Sequence, residues 1–377
     1  MTEASLFQKK VLRWFDNFGR KDLPWQLSPT PYHVWLSEIM LQQTQVATVI
    51  PYYLRFIKQF PDLPALAKAR LDQVLHLWAG LGYYARARNL HRTAQIIVDS
   101  YQGKFPADID LLQALPGIGR STAGAILALG FQITAPILDG NVRRVLSRVY
   151  AIDLPANAPQ TLQQLWQIAT QLTPTKRVAA YTQAMMDLGA MVCLRSKPLC
   201  QACPLAKQCM AYLSDKTAYY PNPKPKKQIP IRQIRMLMIT NKSGAILLQK
   251  RPPVGIWGGL WSLPECPVDV DLSEWCQANL GIHIRHLQAW PLLRHTFSHF
   301  HLDITPVQLL ATRVVSQVME NPVQVWYKID QSTNQYALAA PIKVLLQQFA
   351  ENHHESNRQM RKTPQRSGRL RKPATAR

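Results

Sequence analysis

Residues 214–230, SDKTAYYPNPKPKKQIP, constrain the fold more than any other stretch of the chain. Pro221, Pro223, Pro225 and Pro230 each fix φ and remove a backbone donor, so neither a helix nor an inner strand can run through them. Four lysines add mutual repulsion. The segment is expected to be a stiff, extended linker, and the residues on each side of it have to bury their own core. Before it, apolar residues recur at helical spacing over 34–50, 71–81, 111–115, 123–129 and 162–172. Phe60-Pro61, Phe105-Pro106 and Leu115-Pro116-Gly117 punctuate them. After it, 231–240 and 245–249 are apolar runs separated by Asn241-Lys242-Ser243-Gly244, as in a hairpin. Residues 297–302 alternate with period two, while 323–326 and 337–349 suggest a strand and a closing helix. The expected organisation is a mainly α domain over 1–213, the linker over 214–230 and an α+β domain over 231–350. Residues 351–377 hold eight Lys and Arg, one Leu and no aromatic ring, a composition expected to stay disordered.

Charge narrows the partner. Lys and Arg number 44 against 22 Asp and Glu, a formal +22. The tail has two Glu, so it accounts for +6, and +16 remains on the folded part. Such a balance points to a polyanion. No apolar run approaches the ~20 residues of a membrane span. The opening MTEASLFQKKVLRWF has no apolar core of an export signal, so a cytoplasmic protein is expected. Six Cys are too sparse for a disulfide scaffold, yet four of them, Cys193, Cys200, Cys203 and Cys209, stand in the pattern C-x6-C-x2-C-x5-C. That crowding reads as metal binding, and the spacing leaves a zinc ion and a [4Fe–4S] cluster equally open. Cys266 and Cys276 read as small apolar residues.

Residues 111–130, LLQALPGIGRSTAGAILALG, describe two helices joined by a tight turn. Gly117 and Gly119 let the backbone approach a ligand, and the N–H groups that open the second helix suit an anion such as a DNA phosphate. Ser121 reads as the N-cap of that helix. Downstream, Asp139 and Asn141 follow an apolar turn at the mouth of a further helix. Asp139 is a helix cap, a catalytic carboxylate, or both; spacing does not separate these. Glu38 sits in an apolar helix with Val34 and Gln42 four residues away on either side, so it has no helical ion-pair partner. That favours a functional carboxylate.

The LPGIG hairpin, Asp139 and the cysteine pattern together resemble the endonuclease III superfamily of DNA glycosylases. Ser37-Glu38-Ile-Met-Leu-Gln-Gln43 is similar to its adenine DNA glycosylase branch. The resemblance implies a helix-hairpin-helix fold with a structural [4Fe–4S] cluster on the four cysteines. It also implies base-excision repair of adenine mispaired with 8-oxoguanine or guanine in double-stranded DNA, in a nucleoid-associated enzyme. The chemistry would divide between Glu38, protonating the leaving purine, and Asp139, stabilising an oxocarbenium-like sugar. Relatives with lyase activity carry a Schiff-base lysine where this chain has Ser121, which implies hydrolysis alone. Gln43 and Tyr83, within Leu81-Gly82-Tyr83-Tyr84, would be the intercalating or base-contacting pair, with Gly117, Gly119, Ser121 and Asn141 also on the DNA, and one of the two tyrosines is expected in the core.

Residues 249–265, QKRPPVGIWGGLWSLPE, resemble the entry to a Nudix domain, but no R-E-x-x-E-E follows Glu265. The second domain is therefore expected to be a non-hydrolytic, Nudix-like reader of oxidised guanine, with Phe297, Ser298 and His299 as its recognition segment. The alternative reading of the whole chain is a non-catalytic iron–sulfur protein that binds DNA or senses redox state.

Overall fold

The computed structural model describes residues 2–155, 158–222, 228–314, 323–329 and 336–362. Contacts divide the chain into two units, 1–228 and 229–377. Pro223 and Pro225 of the proline-rich stretch lie outside the described residues, as do 363–377 of the basic tail.

The first unit is helical and has two packed groups. One is built on helices Pro31–Leu41, Val46–Gln59, Leu71–Trp78 and Ala85–Tyr101, with Trp35, Phe56 and Trp78 fully buried among them. The other joins the N-terminal helix Glu3–Phe18 to helices Gly140–Val149, Pro159–Leu172 and Val178–Asp187 through a common core that includes Phe7, Val11, Leu146 and Leu165. The apolar run 34–50 is not one helix. Pro31–Leu41 ends, Gln43 takes a left-handed φ of 56°, and Val46–Gln59 begins. The carbonyls freed at this break are taken up by a side chain distant in sequence, Arg86, which explains why periodicity alone carried the helix across it.

Among the described residues, the second unit is a mixed sheet with two helices. Its strands are β1 (Ile231–Thr240), β2 (Ile246–Lys250), β3 (Trp261–Ser262), β4 (Glu265–Cys266), β5 (Ile282–Ala289), β6 (Leu293–Thr296), β7 (His301–Val314) and β8 (Gln324–Tyr327). β1 and β7 run parallel in register from Ile231 beside His301 to Thr240 beside Leu310. β2 continues the sheet beyond β1, and β5 and β6 pair with the far edge of β7. The β1–β2 hairpin closes through Asn241, whose Oδ1 accepts from the Ser243 and Ala245 N–H groups. Cys266 and Cys276 are buried with Leu237, Leu247 and Leu309, as small apolar residues. The period-two stretch departs from expectation: residues 297–300 are the turn between β6 and β7, closed by the Phe297 N–H donating to the Phe300 carbonyl at 2.9 Å. Alternation there reflects aromatic packing around a turn and not a strand. The closing helix runs Ala340–Lys362, past Phe349 and into the segment expected to be disordered. No helix of the described residues is long and apolar enough to cross a membrane.

Candidate active site

Glu38 and Asp139 line the same cavity of about 1060 Å³, which draws walls from both helical groups of the first unit. That volume is at the upper end of the roughly 300–1,000 Å³ of small-molecule pockets. Glu38 comes from the last turn and a half of helix Pro31–Leu41, and Asp139 is the N-cap of helix Gly140–Val149. The Asp139 Oδ1 accepts from the Val142 N–H at 2.8 Å and its Oδ2 from Asn141 Nδ2 at 3.1 Å. Capping and facing the cavity are therefore compatible roles for this carboxylate.

The two carboxyls sit in different electrostatic surroundings. Burial, and then the charge of Asp139, push Glu38 up to about 8. Burial also raises Asp139, but the Val142 and Asn141 donors oppose that by favouring its anion. Glu38 therefore holds its proton at neutral pH, while Asp139 has donors arranged to favour its anion that Glu38, among the described residues, lacks.

Gln43, Ser121 and Asn141 line this cavity as well. Ser121 is not the helix cap. Helix Arg120–Ala125 is capped at Gly119, and the Ser121 Oγ accepts from the Leu138 N–H at 3.0 Å, fixing the residue next to Asp139. The turn before it has Gly117 at φ +79°, where an added Cβ would press on Asn89 at 3.0 Å. Gly117 and Gly119 are both exposed. Tyr83 is 47% exposed while Tyr84 is buried, so one of the pair belongs to the core. Asn141 in turn accepts from Arg144 Nη2 at 2.8 Å, and Arg144 Nε donates to the Cys193 carbonyl at 2.7 Å.

Several lining residues were not foreseen. Arg20 wraps the fully buried Asp187 with its backbone N–H and its guanidinium, and Gln183 donates to the same carboxylate at 2.9 Å. Arg20 and Gln183 both face the cavity. The available signal was Asp187 itself, a lone acid in the apolar stretch MMDLGAM, where an unpaired charge is too costly to bury.

The four cysteines Cys193, Cys200, Cys203 and Cys209 line one small cavity together with Arg148. Arg148 Nη1 donates to the Cys193 Sγ at 3.3 Å and to the Leu194 carbonyl, so a cation backs the sulfurs. Among the described residues, no three His, Cys, Asp or Glu side chains converge tightly enough for a single ion. In the second unit, Ser298 and His299 are exposed on the β6–β7 turn, whereas Phe297 stacks on Phe300 at 4.6 Å and packs near Trp257. Helix Leu272–Leu280 holds Glu274 and no second glutamate.

Residues 36–171 match the HhH-GPD superfamily of base excision DNA repair proteins, and residues 235–348 match the NUDIX domain. The chain is 39% identical to the adenine DNA glycosylase of Buchnera aphidicola subsp. Baizongia pistaciae over 93% of its own length and 99% of that protein. It is 31% identical to the adenine DNA glycosylase of Mus musculus, covering 97% of this chain and 82% of that one. Among solved structures, a thermostable thymine-DNA glycosylase superposes with a TM-score of 0.51 at 26% identity, over 56% of this chain and 97% of that one. A helix-hairpin-helix region followed by a Nudix-like sheet, with the match to adenine DNA glycosylases running along nearly the whole chain, places it in the adenine DNA glycosylase family.

Proposed function

We propose that this glycosylase hydrolyses the N-glycosidic bond of adenine lying opposite 8-oxoguanine or guanine in double-stranded DNA, and that it leaves an abasic site without cutting the strand. The observation that carries the reading is the placement of Glu38 and Asp139 on one cavity, Glu38 without a hydrogen-bond donor among the described residues to favour its anion and Asp139 with two, from Val142 and Asn141. An extruded adenine enters the cavity, and Gln43 and Tyr83 contact the duplex it leaves. Glu38 delivers its proton to the purine N7, which makes the base a neutral leaving group. Positive charge then grows on the sugar, and the Asp139 carboxylate stabilises it. Water adds at the anomeric carbon, and Glu38, now ionised, takes its proton. Ser121 offers a hydroxyl engaged with Leu138 where a lyase needs an amine, which supports hydrolysis alone. Gly117 and Gly119 present the hairpin backbone to a phosphate. An enzyme working on duplex DNA would reside with the nucleoid.

Duplexes with defined mispairs test this. Alkali should be required to reveal strand breaks at adenine opposite 8-oxoguanine or guanine, and efficient cleavage without alkali would contradict the monofunctional reading. Ser298 and His299 supply hydrogen-bonding groups for the oxidised edge of guanine. One such bond is worth about 0.5–1.5 kcal/mol, so Ser298→Ala with His299→Ala should narrow the preference for 8-oxoguanine over guanine by roughly tenfold. An unchanged ratio would place recognition elsewhere.

The cysteine quartet fits a [4Fe–4S] cluster. Four thiols line one small cavity backed by the Arg148 guanidinium, the four-cysteine ligand set such a cluster takes, and the family resemblance favours it over zinc. When bound, the cluster would order the 193–209 loop and take no part in the chemistry. Cys203→Ala should abolish stoichiometric iron and the brown visible absorbance; stoichiometric zinc without iron in anaerobically prepared protein would overturn the assignment.

A further inference from the structure

Arg86 is 8% exposed, and its guanidinium holds two loops that are forty residues apart. Nη1 donates to the carbonyls of Ile39 at 3.0 Å, Met40 at 2.8 Å and Gln42. Those groups end helix Pro31–Leu41, where orphaned carbonyls and the negative dipole end attract a cation. Nη2 donates to the Thr44 Oγ1, the Leu81 carbonyl and the Gly82 carbonyl, each at 3.2 Å. The same guanidinium lies 5.4 Å from the ring centres of Tyr83 and Trp78, and Trp78 Nε1 donates to the Gly82 carbonyl. Nε has no hydrogen-bond partner, so the two terminal nitrogens make every bond.

The residues between these anchors are conformationally unusual. Gln43 has φ +56° and Tyr83 φ +50°, a region that side-chain-bearing residues seldom adopt. Both are exposed. Such backbone states persist only where the surroundings over-determine them. Here the acceptors flanking Gln43, the Gln42 carbonyl and the Thr44 hydroxyl, and the two just before Tyr83, the Leu81 and Gly82 carbonyls, converge on one buried cation.

We propose that Arg86 is a positioning residue that locks Gln43 and Tyr83 into a two-part wedge for displacing the target base. It touches neither base nor sugar and acts through those two side chains. The inference rests on the reading of Gln43 and Tyr83 as DNA contacts. Lysine keeps the charge but is a flexible point donor and cannot bridge both loops.

The test is a mutant cycle read as single-turnover excision of adenine from a mispaired duplex, with thermal stability followed in parallel. The proteins are wild type, Arg86→Lys, the Gln43→Ala/Tyr83→Ala pair, and the triple variant. Arg86→Lys should slow excision about tenfold in the wild-type background, and by less than about twofold where the wedge side chains are already gone, because coupled residues are not additive. Thr44→Val removes one of the guanidinium's acceptors and should show a smaller loss with the same background dependence, which keeps the test valid if Arg86→Lys folds poorly. Equal losses in both backgrounds, or no loss in the first, overturn the proposal alone. If the Gln43→Ala/Tyr83→Ala protein excises at the wild-type rate, the wedge reading falls and the proposal with it.

Discussion

Replacing Glu38 with Gln should slow single-turnover adenine excision by about 10²–10⁴-fold, the usual contribution of a positioned general acid, with mispair affinity nearly unchanged. The amide has the shape of the protonated carboxyl but no acidic proton for N7. Burial and the Asp139 charge hold Glu38 near 8, so at neutral pH the wild-type side chain is already uncharged. The substitution therefore removes no buried charge, and the melting temperature at pH 7 should barely move. A slow enzyme of ordinary stability separates lost chemistry from lost folding; a variant retaining most of the wild-type rate would remove Glu38 from the mechanism.

Asp139→Asn should cost about 10²–10³-fold, in the range measured for deleting one electrostatic transition-state contact. Asparagine caps helices as well as aspartate does, so the Val142 bond and helix Gly140–Val149 should survive. What goes is the negative charge that, on the proposed mechanism, faces the sugar. A second consequence follows from the coupling: part of what raises Glu38 is the Asp139 charge, so its removal should lower the pH at which Glu38 loses its proton. Rate measurements against pH on Asp139→Asn check both effects together. A rate within a few-fold of wild type would show that the oxocarbenium is stabilised by other groups.

Much of this site was legible in the sequence because its chemistry is local. Glu38 stood out as an acid without a helical partner, and the cysteine spacing and the LPGIG turn are contiguous signals. Asp139 remained ambiguous in sequence because one carboxylate caps a helix and lines the cavity at once. What stayed hidden depends on distant pairing. Asp187 meets Arg20 across 167 positions, and Arg86 reaches back more than forty residues to break what periodicity joined into one helix over 34–50. The parallel pairing of β1 with β7 is equally non-local. At residues 297–300, period two misled because Phe297 and Phe300 stack on each other within a turn, which mimics the alternation of a half-buried strand.

The central claim is that Glu38 works as an acid while Asp139 works as an anion, and the pH dependence of excision tests it most directly. Single-turnover rates would be measured at saturating enzyme on adenine opposite 8-oxoguanine, for wild type and Glu38→Gln. Glu38 holds its proton below about 8 and loses it as pH rises through that value. The wild-type rate should then fall about tenfold per pH unit on the alkaline side, and the residual rate of Glu38→Gln should show no such limb. A wild-type rate that stays flat from neutral pH to well above 8, or the same alkaline limb in Glu38→Gln, would contradict the account.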